Sequence, residues 1–299
     1  MFSILTPTYN RVKELSRVYD SLKNQTYTDF EWIISDDGST DGTAELVQEW
    51  QNKENRFKIT YHVLTKNQGK SSAVNEGLEL CERPYTLIAD SDDSFLQNTL
   101  SDLATIWKTV ELSNNPKKIG AIWSLVMDEK GQLIGEKFPK NLWQVSFNER
   151  VLERTNPIKG EKWHCWRTEV LKEFKMFVNP NSFISEGATW DKINSTYDYL
   201  CVNSVHRVYW HTTGGLIHQK KSKLSIQKHT YFTSLAHLEK ASYSQIVLTQ
   251  HYRRIAFNYI KAKLSYSNSE YKLDSTKFVW VAIAFIIYLP HKIIHKIIS

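Results

Sequence analysis

The sequence predicts an α/β fold, in which a mostly parallel sheet is flanked by helices and followed by a helical, basic C-terminal extension. In the first hundred residues, short apolar runs rich in β-branched side chains alternate with segments whose apolar residues recur at helical spacing. Polar loops follow three of the four apolar runs. The chain has 299 residues, 41% of them hydrophobic and 23% charged, so it can bury a large core and is neither disordered nor fibrous in composition.

The elements follow one another as strand, helix and strand. The apolar runs predict strands at 2–5, 31–35, 57–64 and 85–89, and the periodic segments predict helices at 11–24, 40–52 and 69–80. Helices between successive strands allow parallel connections, so we expect helices on both faces of the sheet. Beyond residue 115 we expect strands at 119–127 and 199–210 and a short helix after Ser185.

The C-terminal third is helical in character and strongly basic. Residues 216–299 hold 13 Lys or Arg against three acidic residues. Residues 278–289 are twelve apolar residues, too few for a bilayer span, which needs about 20. The Ile-Ile/His-Lys repeat of 291–298 favours a helix that lies on an anionic membrane surface. The alternatives are a core helix with a solvated tail and nucleic-acid binding, but no nucleic-acid motif accompanies the charge.

The cysteines and the N-terminus indicate the compartment. Cys81, Cys165 and Cys201 are odd in number and have no metal-ligand spacing, which is typical of buried thiols in a reducing compartment. Met1–Leu5 begins as an apolar strand and lacks the pattern of a signal peptide. We expect a cytoplasmic protein that is peripheral at the inner face of the cell membrane.

The tetrapeptide Asp90-Ser91-Asp92-Asp93 ends the fourth apolar run and is a candidate metal site. An alternating strand through it would point Asp90 and Asp92 to the same side. Carboxylates at this density repel one another unless a cation neutralises them, and oxygen ligands suit Mg²⁺ or Mn²⁺. An acidic turn that caps the following helix is the alternative interpretation.

Two further segments follow strands at the same expected edge of the sheet. Residues 36–43 include Asp36 and Asp37, and a carboxylate here can accept the imide N–H of a uracil ring. A tight turn with a capped helix explains the same residues without a ligand. Lys70 opens the third helix, where it can neutralise a phosphate beside the positive helix end or simply be solvated.

In order along the chain, four segments resemble motifs of the family 2 glycosyltransferases with the GT-A fold: residues 6–11, 36–43, 67–77 and 90–93. The resemblance covers roughly residues 1–215. It implies a nucleotide-sugar donor, usually a UDP-sugar, a Mn²⁺ or Mg²⁺ cofactor, and inversion at the anomeric carbon. The stretches 160–163 and 167–169 are also similar to bacterial enzymes that build capsule or O-antigen repeat units.

The resemblance also implies roles for single residues. Asp92 would bind the metal directly, with Asp90 near the ribose, while Asp93 and His218 are further metal candidates. Thr6, Pro7 and Tyr9 would line the nucleoside pocket, and Asp36 would contact uracil. The donor-binding set as a whole is Thr6, Pro7, Tyr9, Arg11, Asp36, Asp37, Lys70, Asp90, Ser91 and Asp92.

The family places a carboxylate base at the start of a helix beneath the acceptor, often as a Glu-Asp pair. The matching stretch here is Ser185-Glu186-Gly187, so Glu186 is the candidate general base and Asp191 the reserve. The glycine at 187 and the absence of a clear Gln-x-x-Arg-Trp motif argue against a processive polysaccharide synthase. An ordinary acid favoured by the helix dipole is the alternative for Glu186.

These inferences predict a GT-A catalytic domain at 1–215, with a donor half at 1–110 and an acceptor half at 111–215, and a membrane-associating extension at 216–299. We expect a UDP-sugar donor, a lipid-linked saccharide acceptor and no nucleic acid. The alternatives are a noncatalytic scaffold of a polysaccharide assembly complex and a sugar-nucleotide nucleotidyltransferase. A nucleotidyltransferase would want a glycine-rich phosphate loop after the first strand, and residues 6–11 contain no glycine.

Overall fold

The chain divides by its internal contacts into two compact units. The computed structural model describes residues 1–154, 156–211, 222–266, 268 and 270–298, with the backbone alone for 290–298. Unit 1 comprises Met1–Ser146, Ile158–Met176 and Tyr197–His218, and unit 2 comprises Phe147–Pro157, Phe177–Thr196 and Gln219–Ser299. Each unit has an apolar core of its own.

Unit 1 is built on a nine-stranded sheet. Its strands are β1 (Phe2–Thr8), β2 (Phe30–Asp36), β3 (Lys58–Val63), β4 (Tyr85–Ile88), β5 (Ser94–Phe95), β6 (Ile119–Asp128), β7 (Trp143–Val145), β8 (Lys162–Arg167) and β9 (Asp198–Tyr209). They lie in the order β3-β2-β1-β4-β8-β6-β9-β5, and β7 pairs with β9. The first four strands are parallel, whereas β8 runs antiparallel to β4 and β6. The predicted α/β fold is confirmed, with mixed pairing beyond the first four strands.

Five helices accompany this sheet: α1 (Val12–Lys23), α2 (Thr43–Lys53), α3 (Lys70–Glu79), α4 (Thr99–Glu111) and α5 (Thr168–Glu173). Every residue of β1 and β2 is buried, as expected of strands that are covered on both faces. Tyr19 of α1 stacks on Trp50 of α2 with ring centroids 4.4 Å apart, which ties two helices together over Trp32 of β2. The cysteines Cys81, Cys165 and Cys201 are buried.

Unit 2 is helical. Its helices are α6 (Glu186–Asn194), α7 (Lys223–Lys240), α8 (Tyr243–Leu248), α9 (Gln250–Ser265) and α10 (Ser275–Ile298). Tyr231 of α7 and Tyr259 of α9 are fully buried and stack at 5.1 Å, at the centre of the core. Among the described residues, no helix combines the length and the apolar character that crossing a bilayer requires.

The predicted domain boundary at residue 215 stays a prediction about function. By compactness, Phe147–Pro157 and Phe177–Thr196, which lie inside the predicted catalytic domain, belong to unit 2. The reason is packing, because Phe147 and Ile184 belong to the same apolar core as the helices of unit 2. No local pattern in the sequence marks these two short stretches.

Candidate active site

The topology brings three polar loops to one edge of the sheet. β1 is paired in parallel with β2 on one side and with β4 on the other, and Thr8 at the end of β1 is opposite Asp36 at the end of β2. The carboxyl ends of these strands therefore meet at the same edge. Ligands of open α/β sheets collect at such an edge.

Asp36 is fully buried, and both of its carboxylate oxygens have partners. The backbone N–H of Ser39 donates to Oδ1 at 2.8 Å, and the Tyr61 hydroxyl donates to Oδ2 at 2.5 Å. These bonds fix the carboxylate, and an ionised carboxylate has lone pairs left for a further donor. Asp36 is thus a rigid acceptor at the end of β2.

Asp37 is engaged by the start of α3. The backbone N–H groups of Gln68 and Gly69 donate to its two oxygens at 2.7 and 2.6 Å, and the side chain is only 2% exposed. The carboxylate therefore holds the turn that precedes Lys70. This contact gives Asp37 a positioning role beside the donor role that the sequence predicts.

The loop after β1 is cross-linked to the loop after β2. Asn10 has a left-handed backbone with φ of 51°, and its side-chain Oδ1 accepts from the Thr40 N–H at 2.8 Å. The Ser39 hydroxyl accepts from the Asn10 N–H, also at 2.8 Å, and Asp41 accepts from the Val12 N–H at 3.0 Å. These bonds order both loops together.

The predicted nucleoside residues differ in exposure. Thr6 is fully buried, and its hydroxyl accepts from the Trp32 indole at 2.9 Å. Pro7 is also buried. Tyr9 is 44% exposed, so of these three it has the largest surface for stacking on a base.

The segment Asp90–Asp93 is a turn, so the predicted alternation of Asp90 and Asp92 along a strand is wrong. β4 ends at Ile88, and the Asp93 N–H donates to the Asp90 carbonyl at 3.2 Å. The turn sends the side chains to different places. Those of Asp90 and Asp92 are 29% and 24% exposed, and that of Asp93 is 1% exposed. Ser91 lies between them and is partly exposed.

Three cations surround the three carboxylates. Lys70 Nζ lies 2.5 Å from Asp90 Oδ1, Arg11 lies 3.6 Å from Asp92 Oδ2, and Arg207 Nε lies 2.8 Å from Asp93 Oδ2. Burial favours the neutral acid at Asp90, but the charges of Lys70 and Arg207 outweigh it and lower the pKa of Asp90 below its ordinary value.

Asp93 responds differently from Asp90. Burial raises the pKa of Asp93 to about 8, although the Arg207 charge acts in the opposite direction, and the neighbouring acids add to the rise. Its contact with Arg207 of β9, at 2.8 Å from Nε to Oδ2, holds the turn against the sheet. Sequence reasoning missed Arg207, and the signal was a charged residue inside the otherwise apolar strand end Val205-His206-Arg207-Val208.

Arg17 is a second cation that sequence reasoning missed. It donates to the backbone carbonyl of Asp92 at 2.6 Å, and its guanidinium lies 4.4 Å from the ring centroid of Trp210. The arginine is on α1 and the tryptophan follows β9, so this contact fixes the turn from a second side.

The turn fits a hard divalent cation. Asp90 and Asp92 offer carboxylate oxygens that remain partly exposed, and Mg²⁺ or Mn²⁺ bound by few protein carboxylates completes its shell with water and substrate phosphates. Asp93 is less suited, because it is buried against Arg207. His218 lies outside the described residues.

The two candidate bases belong to unit 2. Glu186 is the first residue of α6 and follows Ser185 at the N-cap position. Asp191 lies further along the same helix, where Arg150 donates to its Oδ1 at 2.5 Å. Its other oxygen faces His237 of α7 and His251 of α9.

The side chains of both histidines are mostly buried, at 13% exposed. Burial lowers the pKa of His251 to about 4 and also lowers that of His237, although the Asp191 charge acts in the opposite direction. Both imidazoles are therefore neutral at pH 7. No local pattern in the sequence indicates this cluster, because its members come from three separate helices.

Residues 3–114 match the family model described as glycosyl transferase family 2. This chain carries a family 2 glycosyltransferase domain. The predicted family and class of enzyme are therefore confirmed, and the loops at the edge of β1, β2 and β4 belong to the matched residues.

Two relatives are similar to this chain over much of its length. The GalNAc(5)-diNAcBac-PP-undecaprenol beta-1,3-glucosyltransferase of Campylobacter jejuni is 26% identical over 241 residues, which are 80% of this chain and 72% of that protein. The poly(ribitol-phosphate) beta-N-acetylglucosaminyltransferase TarS of Staphylococcus aureus is 36% identical over 224 residues, 71% of this chain. The match spans only 35% of TarS.

Solved structures share the fold of this chain. TarS 1–349 in complex with UDP-GlcNAc aligns with a TM-score of 0.60 over 95% of this chain and 79% of that one, at 19% identity. The mannosyltransferase PcManGT from Pyrobaculum calidifontis, in complex with GDP-Man and Mn²⁺, aligns with a TM-score of 0.57 over 97% of this chain and 75% of that one, at 18% identity. At these identities the likeness shows the fold alone.

Proposed function

We propose that this glycosyltransferase moves a sugar from a UDP-sugar to an acceptor hydroxyl, with inversion at the anomeric carbon and with help from a divalent cation. The observation that carries the proposal is the Asp90–Asp93 turn, where partly exposed carboxylates and cations meet at the carboxyl edge of the sheet. A UDP-sugar is supported by the UDP-GlcNAc complex of TarS, and the cation by the Mn²⁺ complex of PcManGT.

Donor binding divides among the loops. Asp36 is held rigid by Tyr61 and Ser39 and would accept the imide N–H of uracil. Tyr9 would cover the base, since it is the most exposed of the predicted nucleoside residues. Lys70 is a cation at the same edge and would pair with the diphosphate beside the N-terminus of α3.

Asp90 and Asp92 would hold Mn²⁺ or Mg²⁺. When bound, the cation supplies Lewis-acid stabilisation of the charge that develops on the leaving diphosphate. Lys70 and Arg11 add fixed positive charge to the same region, so the departing UDP would leave an environment that is already organised for its charge.

Glu186 would act as the general base and accept the proton of the acceptor hydroxyl as that oxygen attacks the anomeric carbon. We favour Glu186 over Asp191, because one Asp191 oxygen is bound by Arg150 and the other faces two histidines. General base catalysis of this kind contributes roughly 10²–10⁴-fold to the rate.

The test is transfer measured with purified full chain, a UDP-sugar panel and Mn²⁺. We expect Glu186→Gln to keep UDP-sugar binding but to lower transfer at least about 100-fold, and Asp92→Ala to abolish cation-dependent transfer while leaving the fold intact. Glu169→Gln is the matched control, because Glu169 is likewise an acid in the first turn of a helix and is exposed. Normal transfer by Glu186→Gln would exclude it as the base, and retention of the anomeric configuration, read by NMR, would exclude inversion.

We further propose that the acceptor is a lipid-linked saccharide and that the protein is peripheral at the inner face of the cell membrane. The acceptor class is supported by the Campylobacter jejuni relative, which is a beta-1,3-glucosyltransferase named for GalNAc(5)-diNAcBac-PP-undecaprenol. Binding to a membrane surface is supported by α10, whose exposed apolar side chains recur at helical spacing: Val279, Trp280, Ile283, Ile286 and Ile287.

The opposite face of α10 is part of the core of unit 2. Val281 and Ala284 are fully buried and Tyr288 is 7% exposed. Deleting the helix would therefore expose the core, and point substitutions test the membrane contact more cleanly. The side chains of 291–298, on which the predicted separation of lysines from isoleucines depends, lie outside the described residues.

We expect the double variant Ile283→Asn/Ile286→Asn to lose binding to vesicles that contain anionic lipid. Leu264→Asn is the control, since Leu264 is 82% exposed on the neighbouring helix α9 but outside this face. The measurement is co-flotation with anionic and with neutral vesicles. Equal flotation of the double variant and the wild type would refute the proposal that this face of α10 binds the membrane.

A further inference from the structure

A mostly buried polar cluster in unit 2 is formed by Asp191, His237 and His251. Their side chains are 14%, 13% and 13% exposed. One potential ligand atom from each lies within 4.8 Å of the others, and among the described residues no other group of three His, Cys, Asp or Glu side chains does so. The residues come from α6, α7 and α9, so the fold gathers them from distant parts of the sequence.

The distances within the cluster are too long for good hydrogen bonds. Asp191 Oδ2 lies 3.5 Å from His237 Nδ1 and 3.7 Å from His251 Nε2. Hydrogen bonds between nitrogen and oxygen are normally about 2.7–3.2 Å long. His251 Nε2 is buried and has no hydrogen-bond partner among the described residues. Such an atom needs a partner, because a buried polar group that is left without one costs free energy.

The same distances suit three ligands of one metal ion. Zn²⁺ binds imidazole nitrogen and carboxylate oxygen at about 2.0–2.2 Å in a tetrahedral arrangement, which separates neighbouring ligand atoms by roughly 3.3–3.6 Å. The two separations in the cluster, 3.5 and 3.7 Å, are close to that range. Small adjustments of the side chains would complete the geometry.

We propose that Asp191, His237 and His251 bind a divalent transition-metal ion, with Zn²⁺ as the best match. Two imidazoles and one carboxylate form a donor set that suits Zn²⁺ and not Mg²⁺ or Ca²⁺, which prefer oxygen ligands. With one carboxylate and a neighbouring guanidinium, the site carries too little negative charge for a hard cation. The site is thus distinct in chemistry from the Asp90–Asp92 turn.

Arg150 orients the carboxylate of this site. It donates to Asp191 Oδ1 at 2.5 Å and to Asn194 Oδ1 at 2.6 Å, so that Asp191 Oδ2 is directed to the two histidines. Hydrogen bonds to a ligating carboxylate are a regular part of metal sites, and their removal weakens metal binding about 10–100-fold. Arg150 is therefore a positioning residue.

The ion would join α6, α7 and α9, and three protein ligands leave a fourth tetrahedral position for water. Asp191 and Glu186 lie on the same helix, so the ion would also fix the helix that begins with the proposed base. That last consequence rests on the proposed function, whereas metal binding itself does not.

The test uses full-length protein from which metal has been removed with a chelator, without any sugar donor. Zn²⁺ is titrated by calorimetry in excess Mg²⁺, which occupies hard oxygen sites, and Co²⁺ is used as a spectroscopic probe of tetrahedral imidazole ligation. We expect about one Zn²⁺ per chain, a rise in the melting temperature on binding, and visible absorption with Co²⁺.

We expect His237→Gln to weaken Zn²⁺ binding more than 100-fold and Arg150→Ala about 10–100-fold. His229→Gln is the matched control, because His229 lies on the same helix but is outside the cluster, is partly exposed and contacts the Phe183 carbonyl. Circular dichroism checks folding, and Asp191→Asn replaces His237→Gln if that variant is unfolded. Absence of stoichiometric Zn²⁺ binding, or equal affinity in the wild type and the folded ligand variant, would overturn the proposal whatever the transfer activity.

Discussion

Removing the Arg207 guanidinium should strongly destabilise unit 1. Arg207 and Asp93 are 9% and 1% exposed, and Nε and Oδ2 lie 2.8 Å apart. Burial raises the pKa of Asp93 to about 8, so unfolding is compared at pH 9, where Asp93 is mostly ionised in the wild type. Without Arg207, that carboxylate would be buried among other acids, with Asp90 and Asp92 adding to the cost of its charge. Breaking a buried pair by removing one partner costs about 3–5 kcal/mol. We therefore expect Arg207→Met to lower the free energy of unfolding by about that amount, a factor of roughly 10²–10³·⁵ in the equilibrium constant.

The assay is urea unfolding followed by tryptophan fluorescence, in the presence of a chelator so that bound metal adds nothing to the free energy. Lys117→Met is the control, because Lys117 and Glu169 form an ion pair at 3.0 Å with side chains 72% and 62% exposed. An exposed pair of this kind contributes at most about 1 kcal/mol. We expect Lys117→Met to change the free energy of unfolding by no more than that.

The double variant Asp93→Asn/Arg207→Met separates the buried charge from the lost packing. Because it leaves no unpaired charge, we expect it to recover at least about 2 kcal/mol relative to Arg207→Met. The reasoning is refuted if Arg207→Met is no less stable than Lys117→Met, or if the double variant is as unstable as Arg207→Met with an unchanged m-value.

Two further predictions concern unit 1. His206 is 1% exposed, and burial lowers its pKa to about 4. The unfolded chain therefore binds a proton at this histidine more readily than the folded chain, and the folded state loses stability as the pH falls below about 6.5. Between pH 7 and 5 we expect the free energy of unfolding, measured in urea, to fall by about 2 kcal/mol more in the wild type than in His206→Gln. An equal loss in both proteins would contradict this. Gly135→Ala should lower the free energy of unfolding by about 3 kcal/mol or more, because φ is +90° and the new Cβ would lie 2.3 Å from the Gly160 Cα. Gly131 has a φ of +78° but open space around it, so Gly131→Ala should lower the same free energy by only about 1–2 kcal/mol. Similar costs for the two alanines would show that the contact with Gly160 relaxes.

The sequence predicts the first hundred residues well, because local periodicity and chain order decide them. The predicted strand at 31–35 and helix at 69–80 correspond to β2 and α3, with a shift of one residue at each end. β8 was missed, since its place between β4 and β6 depends on pairing with strands far away in the sequence. For the same reason its Trp163 donates to the Ile88 carbonyl at the end of β4, a contact that no local pattern indicates.

The candidate site was predictable in its residues more than in its arrangement. Acidic residues after β2 and β4 are visible in the sequence, but their different environments are not. Asp37 serves the backbone of α3, and Asp93 turns inward to Arg207, because the chain forms a tight turn where an extended strand was expected. Side-chain direction in a turn depends on partners that only the folded chain supplies, and the histidines beside Asp191 are a second example.

The division of unit 2 into three stretches of chain has a consequence for biosynthesis. Phe147 and Ile184 leave the ribosome well before Tyr231 and Tyr259, which share their core. At about 5–20 residues per second, these early apolar side chains wait on the order of several seconds to tens of seconds for their partners. Nascent chains halted after Ile184 but before Tyr259 would therefore expose apolar side chains of an incomplete core. Chaperone binding should be highest in this interval and fall once α9 has emerged.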